Sequence, residues 1–347
     1  MSNVWEPART WAFIVGLLEW KRDDIYDPIP KEERRDAQLA QLLIERGVPK
    51  AQVRYLQDRK ATTAAINAGL AEHLAAAPPG STLILYFCGH GGLDDAGRAF
   101  FASYDADDAD NPGWPAAAIP DAIEQHFKGA QAILFVDCCH SGHLADAVAA
   151  RPRRVAYASL CSSLSSEQST SSWTFTEAIL AALRGEAYAD SDGSTTITLA
   201  ELAGHIQAEM AFADEQIVTF ATSRSFDPDL VLAAAKPRRD PQIGRNVAVW
   251  AEDAWWRAQI TDVHGDKLKV RYYSYNSVHD DWISPAQTRT IGRPRYPIGT
   301  TVEVKWKNRW QVATVLDERA GVHCVAYEDY GPKFNEWVSS KRIRPLI

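Results

Sequence analysis

The sequence predicts an α/β unit built on a mostly parallel sheet with helices on both faces, followed by a smaller all-β region. Three observations carry this reading. Short, nearly continuous apolar runs alternate with stretches of helical apolar spacing through the first 230 residues. The composition then breaks at 233–241, AAAKPRRDP, where two prolines stop regular structure. Beyond the break the chain repeats itself at a displacement of 55 positions. A length of 347 residues fits two or three domains. With 46% hydrophobic and 24% charged residues, the composition is that of a globular chain and excludes a disordered, collagenous or coiled-coil one.

The expected strands are 12–17, 53–56, 83–87, 133–136, 155–160 and 217–221, apolar enough to be covered on both faces. Between them, 32–46, 62–77, 120–127, 174–184 and 199–211 carry helical spacing. In a sheet of this kind, active groups gather at the carboxyl ends of the strands. Two ends carry chemistry. LILYF runs directly into Cys88-Gly89-His90-Gly91-Gly92, and ILFV into Asp137-Cys138-Cys139-His140-Ser141-Gly142. An imidazole at one strand end and a thiol at another form a nucleophile: the ring takes the thiol proton and the thiolate attacks a carbonyl carbon. Neighbouring glycines let backbone N–H groups face the developing oxyanion.

YFCGHGG followed some fifty residues later by DCCHSG resembles the paired signature of the caspase fold, most of all metacaspases and their bacterial relatives. The likeness extends through 10–230 and implies a three-layer caspase-like sandwich. It makes Cys139 the nucleophile, His90 the base, and the N–H groups of Gly91 and Cys139 the oxyanion hole. Caspases that cut after Asp carry Gln two residues before the nucleophile; here that residue is Asp137. A carboxylate in the specificity pocket holds a guanidinium or ammonium group and rejects an acid. Asp36 is the match for the second pocket acid, and Cys88 stands where metacaspases often have Ser. The resemblance therefore implies cleavage after Arg or Lys.

No cofactor is required for this chemistry. Calcium, which many metacaspases need, has candidate ligands in Asp105, Asp121 and Asp146. Asp190-Ser191-Asp192-Gly193 opens like a calcium loop, but its glycine is misplaced. Basic stretches offer processing sites after Arg153, Arg154, Arg238 and Arg239 for an activating protease. The Ser-rich run 162–172 reads as a loop near the substrate cleft.

The tail repeat maps Gly244 to Gly299, Val249 to Val304, Trp255 to Trp310, Tyr272 to Tyr327 and Trp282 to Trp337. Short alternating runs in each copy read as antiparallel strands. The copies resemble Tudor or agenet modules of the SH3-like barrel class, whose aromatic cages hold methylated lysine or arginine. The resemblance makes Trp255, Tyr272, Tyr275 and Trp282 the cage candidates of one copy, and Trp310, Tyr327, Tyr330 and Trp337 those of the other. The expected domains are a peptidase at 1–232, a linker at 233–241, and barrels at 242–292 and 293–347.

Residues 1–240 carry 21 basic and 33 acidic residues, the remainder 16 and 12. An acidic body favours basic peptide substrates and disfavours nucleic acid. The longest apolar run, 11–18, is too short to span a membrane, and Glu6 and Glu19 flank it, so neither a leader nor a membrane partner is expected. Five irregularly spaced cysteines point to a reducing cytoplasm. The expected protein is a latent endopeptidase, by analogy a bacterial stress or defence effector, whose barrels recruit a regulatory partner or restrain the protease. The alternative is a non-catalytic adaptor that binds peptides through its barrels.

Overall fold

The apolar runs of the first 230 residues pair into one six-stranded sheet. Its strands are β1 (Thr10–Gly16), β2 (Val53–Gln57), β3 (Thr82–Cys88), β4 (Gln131–Asp137), β5 (Ala156–Cys161) and β6 (Thr219–Thr222), in the order β6-β5-β4-β3-β1-β2. All pairings are parallel except that of the edge strand β6 with β5. This computed structural model describes residues 3–346 apart from 33, 108–110, 150–153, 165–172 and 307–308.

Side chains alternate across a strand, so each run feeds two faces. Phe13, Val15, Leu85, Phe87, Leu134 and Val136 point to one side. They cluster there with residues of α2 (Thr63–Ala76), α3 (Ala118–His126) and α4 (Gly142–Ala149). The other face is covered by α1 (Arg35–Glu45) and α5 (Thr174–Leu183), which pack on each other. The buried Tyr86 hydroxyl reaches that layer, 2.6 Å from Thr176 Oγ1 of α5. Each fully buried large side chain contributes about 2–3 kcal/mol. The Thr62 side chain caps α2 by accepting from the Ala65 N–H at 3.2 Å.

The structure departs from the sequence reading in three places. Helix α4 was not expected. Ala233 and Ala234, assigned to the linker, lie in a strand (Val231–Ala234) that pairs antiparallel with Thr196–Thr198. Leu232 and Ala233 are buried there, which an Ala-rich composition does not reveal. The chain also divides into compact units of 1–205 with 218–237 and of 206–217 with 238–347. The carboxyl half of α6 (Leu199–Asp214) thus groups with the tail: buried Glu209 accepts from Asn246 Nδ2 at 2.9 Å, Gln259 Nε2 at 3.0 Å and the Tyr273 hydroxyl.

The tail holds two five-stranded antiparallel sheets of the same strand order. Their bulges fall at Ile260/Asp262 and Val315/Asp317, one repeat length apart. Their cores also match, Val249 with Val304, Ile260 with Val315 and Val270 with Val325.

Candidate active site

Strands β1, β3 and β4 end side by side. Gly16 faces Cys88 in register, and Cys88 faces Asp137. The chain leaves β1 toward β2 on one side and resumes at β3 on the other, so this is the switch point where open α/β sheets bind ligands. His90 follows β3 by two residues, and Cys139 follows β4 by two. The two turns touch: a Cβ on Gly91 would lie 2.3 Å from the Cys139 carbonyl oxygen and 2.9 Å from Cys138 Sγ. Only glycine allows that approach.

His90 Nε2 lies 2.8 Å from the Asp27 carbonyl oxygen. A carbonyl only accepts, so Nε2 carries the proton and Nδ1 is left as the basic nitrogen. The ring is flanked by Trp20, with centroids 4.5 Å apart, and Tyr26, 5.8 Å. Trp20 is itself fixed by its indole N–H donating to the Ala102 carbonyl at 3.2 Å. The segment between β1 and α1 therefore supplies the orienting carbonyl and both aromatic walls. Sequence reasoning missed all three, and a backbone carbonyl leaves no residue signature.

The neighbouring cysteines differ. Cys138 is buried, and burial pushes its thiol well above the ordinary range, so it stays protonated. Cys139 is only half-buried. Its turn includes His140 at φ +55°, a strained backbone of the kind found at functional sites. Buried Ser141 pins the turn: its N–H donates to Ser163 Oγ at 3.2 Å, and the Ser163 hydroxyl donates to the Cys138 carbonyl at 3.0 Å.

Asp36, Cys88 and Asp137 are all buried at this strand edge. Burial raises the Cys88 thiol, and the charges of Asp36 and Asp137 raise it further, so both acids act on the same sulfur. Asp137 accepts from Thr176 Oγ1 at 2.8 Å. Asp36 accepts from the Tyr55 hydroxyl at 2.6 Å and, unforeseen from sequence, from Arg34 Nε and Nη2 at 3.1 and 2.7 Å. The same guanidinium donates to Asp58 Oδ2 at 2.6 Å and to the Gly16 carbonyl at 3.0 Å. Burial opposes its charge, but the Asp36 and Asp58 carboxylates outweigh that and hold Arg34 protonated. An acid expected to hold a substrate cation thus holds one from its own chain.

The remaining candidates separate. Asp105 accepts from the Thr63 N–H and Ser103 Oγ, both at 2.8 Å, at the start of α2. Among the described residues its carboxylate does not gather with those of Asp121 of α3 and Asp146 of α4. Among the described residues the converging carboxylates are Asp190, Asp192 and Glu201, whose oxygens accept N–H groups of their own loop. Arg153 and residues 165–172 lie outside the described residues. Arg154 is tied to the Phe127 carbonyl, whereas Arg238 and Arg239 are exposed and outside regular structure.

In the tail, Trp255 and Trp310 are covered by Arg289 and Arg344 at 4.0 and 3.9 Å, Trp337 by Arg319 at 5.0 Å, and Trp282 meets His264. Each of these four rings thus faces a basic or imidazole side chain of its own repeat, while Trp255 and Trp282 stay exposed. Tyr272 and Tyr275 line a cavity, but its indole belongs to Trp256, which faces Val249 and the core side, while Trp255 pairs with Trp250 on the opposite face. Tyr327 and Tyr330 pack against Trp306, Tyr327 buried and Tyr330 still exposed.

Among the described residues, no helix is long and apolar enough to cross a membrane. A solved structure, protein GSU0716 from Geobacter sulfurreducens, is similar in fold, with a TM-score of 0.50 and 16% identity, covering 66% of this chain and 100% of that one. No curated protein matches the chain. An Agenet domain model matches 250–289 and 299–347. A caspase domain model matches 30–227, more than half of the sequence and the strands that carry both motifs, so the chain belongs to the caspase-domain family of cysteine peptidases.

Proposed function

We propose that the chain is an endopeptidase in which Cys139 is the nucleophile and His90 the base, that it cuts after Arg or Lys, and that Arg34 holds it latent. The observation that carries this reading is the His90 Nε2 contact with the Asp27 carbonyl. It leaves Nδ1 to take the thiol proton as sulfur attacks the scissile carbonyl carbon. The oxyanion is met by the N–H groups of Gly91 and Cys139. The imidazolium returns its proton to the leaving amine, and water then hydrolyses the thioester. Asp36 and Asp137 supply the charge that favours a basic side chain, and their burial makes an unpaired acid there costly. Arg34 on Asp36 supports latency, since a substrate cation must compete with it. The exposed Arg238 and Arg239 are the processing sites for an activating protease. Calcium is a further candidate activator, the barrels recruit a peptide partner, and the setting is the cytoplasm.

The test is hydrolysis of fluorogenic peptides ending in Arg or Asp, with and without calcium and after limited proteolysis. Arg peptides are turned over, Asp peptides are not, and Cys139→Ala loses on the order of 10³-fold or more. Arg34→Gln lowers KM for the Arg peptide several-fold with kcat little changed; a pure loss of stability would make Arg34 a structural counter-ion. Absence of turnover by the unmodified chain under every condition would leave the adaptor reading.

A further inference from the structure

The two serines that open the Ser-rich run after β5 turn inward. Ser162 and Ser163 are fully buried, as is Ser141 of the Cys139 turn. A buried hydroxyl must place its one proton and its two lone pairs, and that of Ser163 places all three. Its proton goes to the Cys138 carbonyl at 3.0 Å. One lone pair takes the Ser141 N–H at 3.2 Å. The other takes the Ser141 hydroxyl, 3.1 Å away, which must be the donor of that pair because the Ser163 proton is already committed. The Ser141 oxygen accepts in turn from the Ser163 N–H at 3.2 Å. The Ser162 hydroxyl donates to the same Cys138 carbonyl at 3.4 Å. Neighbouring strands anchor this brace. The Ser162 N–H donates to the Val136 carbonyl of β4 at 2.9 Å, and Thr219 Oγ1 of β6 donates to the Ser163 carbonyl at 3.2 Å.

One hydroxyl therefore clamps the residue before Cys139 and the second residue after it. His140, inside the clamp, has φ +55°. A strained backbone persists only where its surroundings over-determine it, and the serine brace does that here. The clamp also has a chemical consequence. A trans peptide is planar, with its C=O and N–H on opposite sides. Drawing the Cys138 carbonyl toward Ser163 and Ser162 turns the N–H of the same peptide, that of Cys139, away from the buried serines. A hydrogen bond accepted by the carbonyl polarises the whole peptide unit and makes its N–H the stronger donor.

We propose that Ser163 is a positioning residue for peptide hydrolysis: through the Cys138 carbonyl it aims the Cys139 N–H at the oxyanion. The inference rests on the reading of Cys139 as the nucleophile and adds the group that orients its oxyanion donor. Ser163 acts on a peptide bond of its own chain, before any substrate is bound. Its contribution is realised in the transition state, where the negative charge that the N–H meets first develops.

The test is Ser163→Ala in the full chain, assayed on the Arg peptide under the conditions that activate the unmodified chain. A misaimed oxyanion donor lowers kcat on the order of 10²-fold and leaves KM within about twofold. Inactivation by iodoacetamide separates aim from reactivity. Alkylation of the Cys139 sulfur displaces iodide and develops no oxyanion, so its rate stays within about threefold of that of the unmodified chain. Ser163→Cys keeps the side-chain size and a weak donor, loses less kcat, about tenfold, and reads out even if the alanine variant does not fold. Equal losses of turnover and alkylation would make Ser163 a support of the turn alone and overturn the proposal. So would unchanged kcat in Ser163→Ala or, where that variant does not fold, in Ser163→Cys. Those results leave the peptidase reading standing; absence of turnover by the unmodified chain removes that reading and this inference with it.

Discussion

The two tail repeats share strand order, register and bulge, yet one keeps an open aromatic cavity and the other fills the same place with its own indole. The backbone is set by the small apolar set they have in common. The chemistry is set by the positions where they differ, Ala251 against Trp306 and Gln287 against Arg342. The peptidase unit obeys the same logic at Asp36, where the cation is supplied from within by Arg34. A carboxylate in this molecule is paired or left open according to whether the chain also encodes a cation beside it.

The largest effects test the shared part. Ile260→Ala in the first repeat costs about 2–4 kcal/mol through the cavity it leaves. Val315→Ala at the matching position costs about 1 kcal/mol less, one methylene being smaller. Both side chains are buried in the repeat cores. Urea unfolding of the full chain, followed by amide exchange in each repeat, reads this out. If one repeat tolerates its truncation, the shared core does not hold both folds.

The next effect separates the copies by pH. Leu268 of the first core is replaced by His323, fully buried, whose Nε2 accepts from the Tyr296 N–H at 2.9 Å and whose Nδ1 has no partner. Burial pushes its pKa below the ordinary 6.5, so the fold favours the neutral ring. The unfolded chain binds the proton more readily. Stability is therefore complete above pH 6.5 and declines as pH falls below it. Amide protection of Val322–Tyr327, corrected for intrinsic exchange, should drop below pH 6.5 while that of Lys267–Tyr272 holds. His323→Leu should abolish the difference. The readout must be local, because His73 in the peptidase unit is pushed down to about 4 by burial and gives that unit an acid sensitivity of its own.

A smaller effect concerns the acids. Glu336→Gln should cost about 1 kcal/mol, since the Arg342 pair is only partly screened by solvent. Asp281→Asn should cost almost nothing in the absence of ligand. Equal losses at the two positions, measured by urea midpoints, would mean that Asp281 is engaged in the fold as Glu336 is.

Much of this molecule is legible in its sequence. The parallel strands are dense apolar runs, and two motifs mark adjacent strand ends, so the layout and the positions of His90 and Cys139 follow from local signals. What was missed has a common cause. The Asp27 carbonyl is backbone. Arg34 looks like one more charge before a helix until folding brings Gly16 and Asp58 around it. Asp105 reads in the sequence as a metal ligand, and only the fold shows that it also accepts at the start of α2. In the tail, matching the copies selected Trp255 because Trp310 repeats it, whereas the cavity wall is Trp256, matched only by Gln311. Internal repeats expose what two copies share and conceal what only one of them does.

That lesson can be pressed further at the outer tryptophans. Arg289 lies over Trp255 at 4.0 Å and Arg344 over Trp310 at 3.9 Å, positions that match in both partners. Because the pair is shared, it belongs to the scaffold. Arg289→Ala and Arg344→Ala should each cost about 0.5–1 kcal/mol, equally in the two repeats, as expected of exposed cation–π contacts. Urea midpoints of the two variants check this. If one arginine proved worth much more than the other, the division between shared scaffold and private chemistry would fail at the position where the copies are most alike.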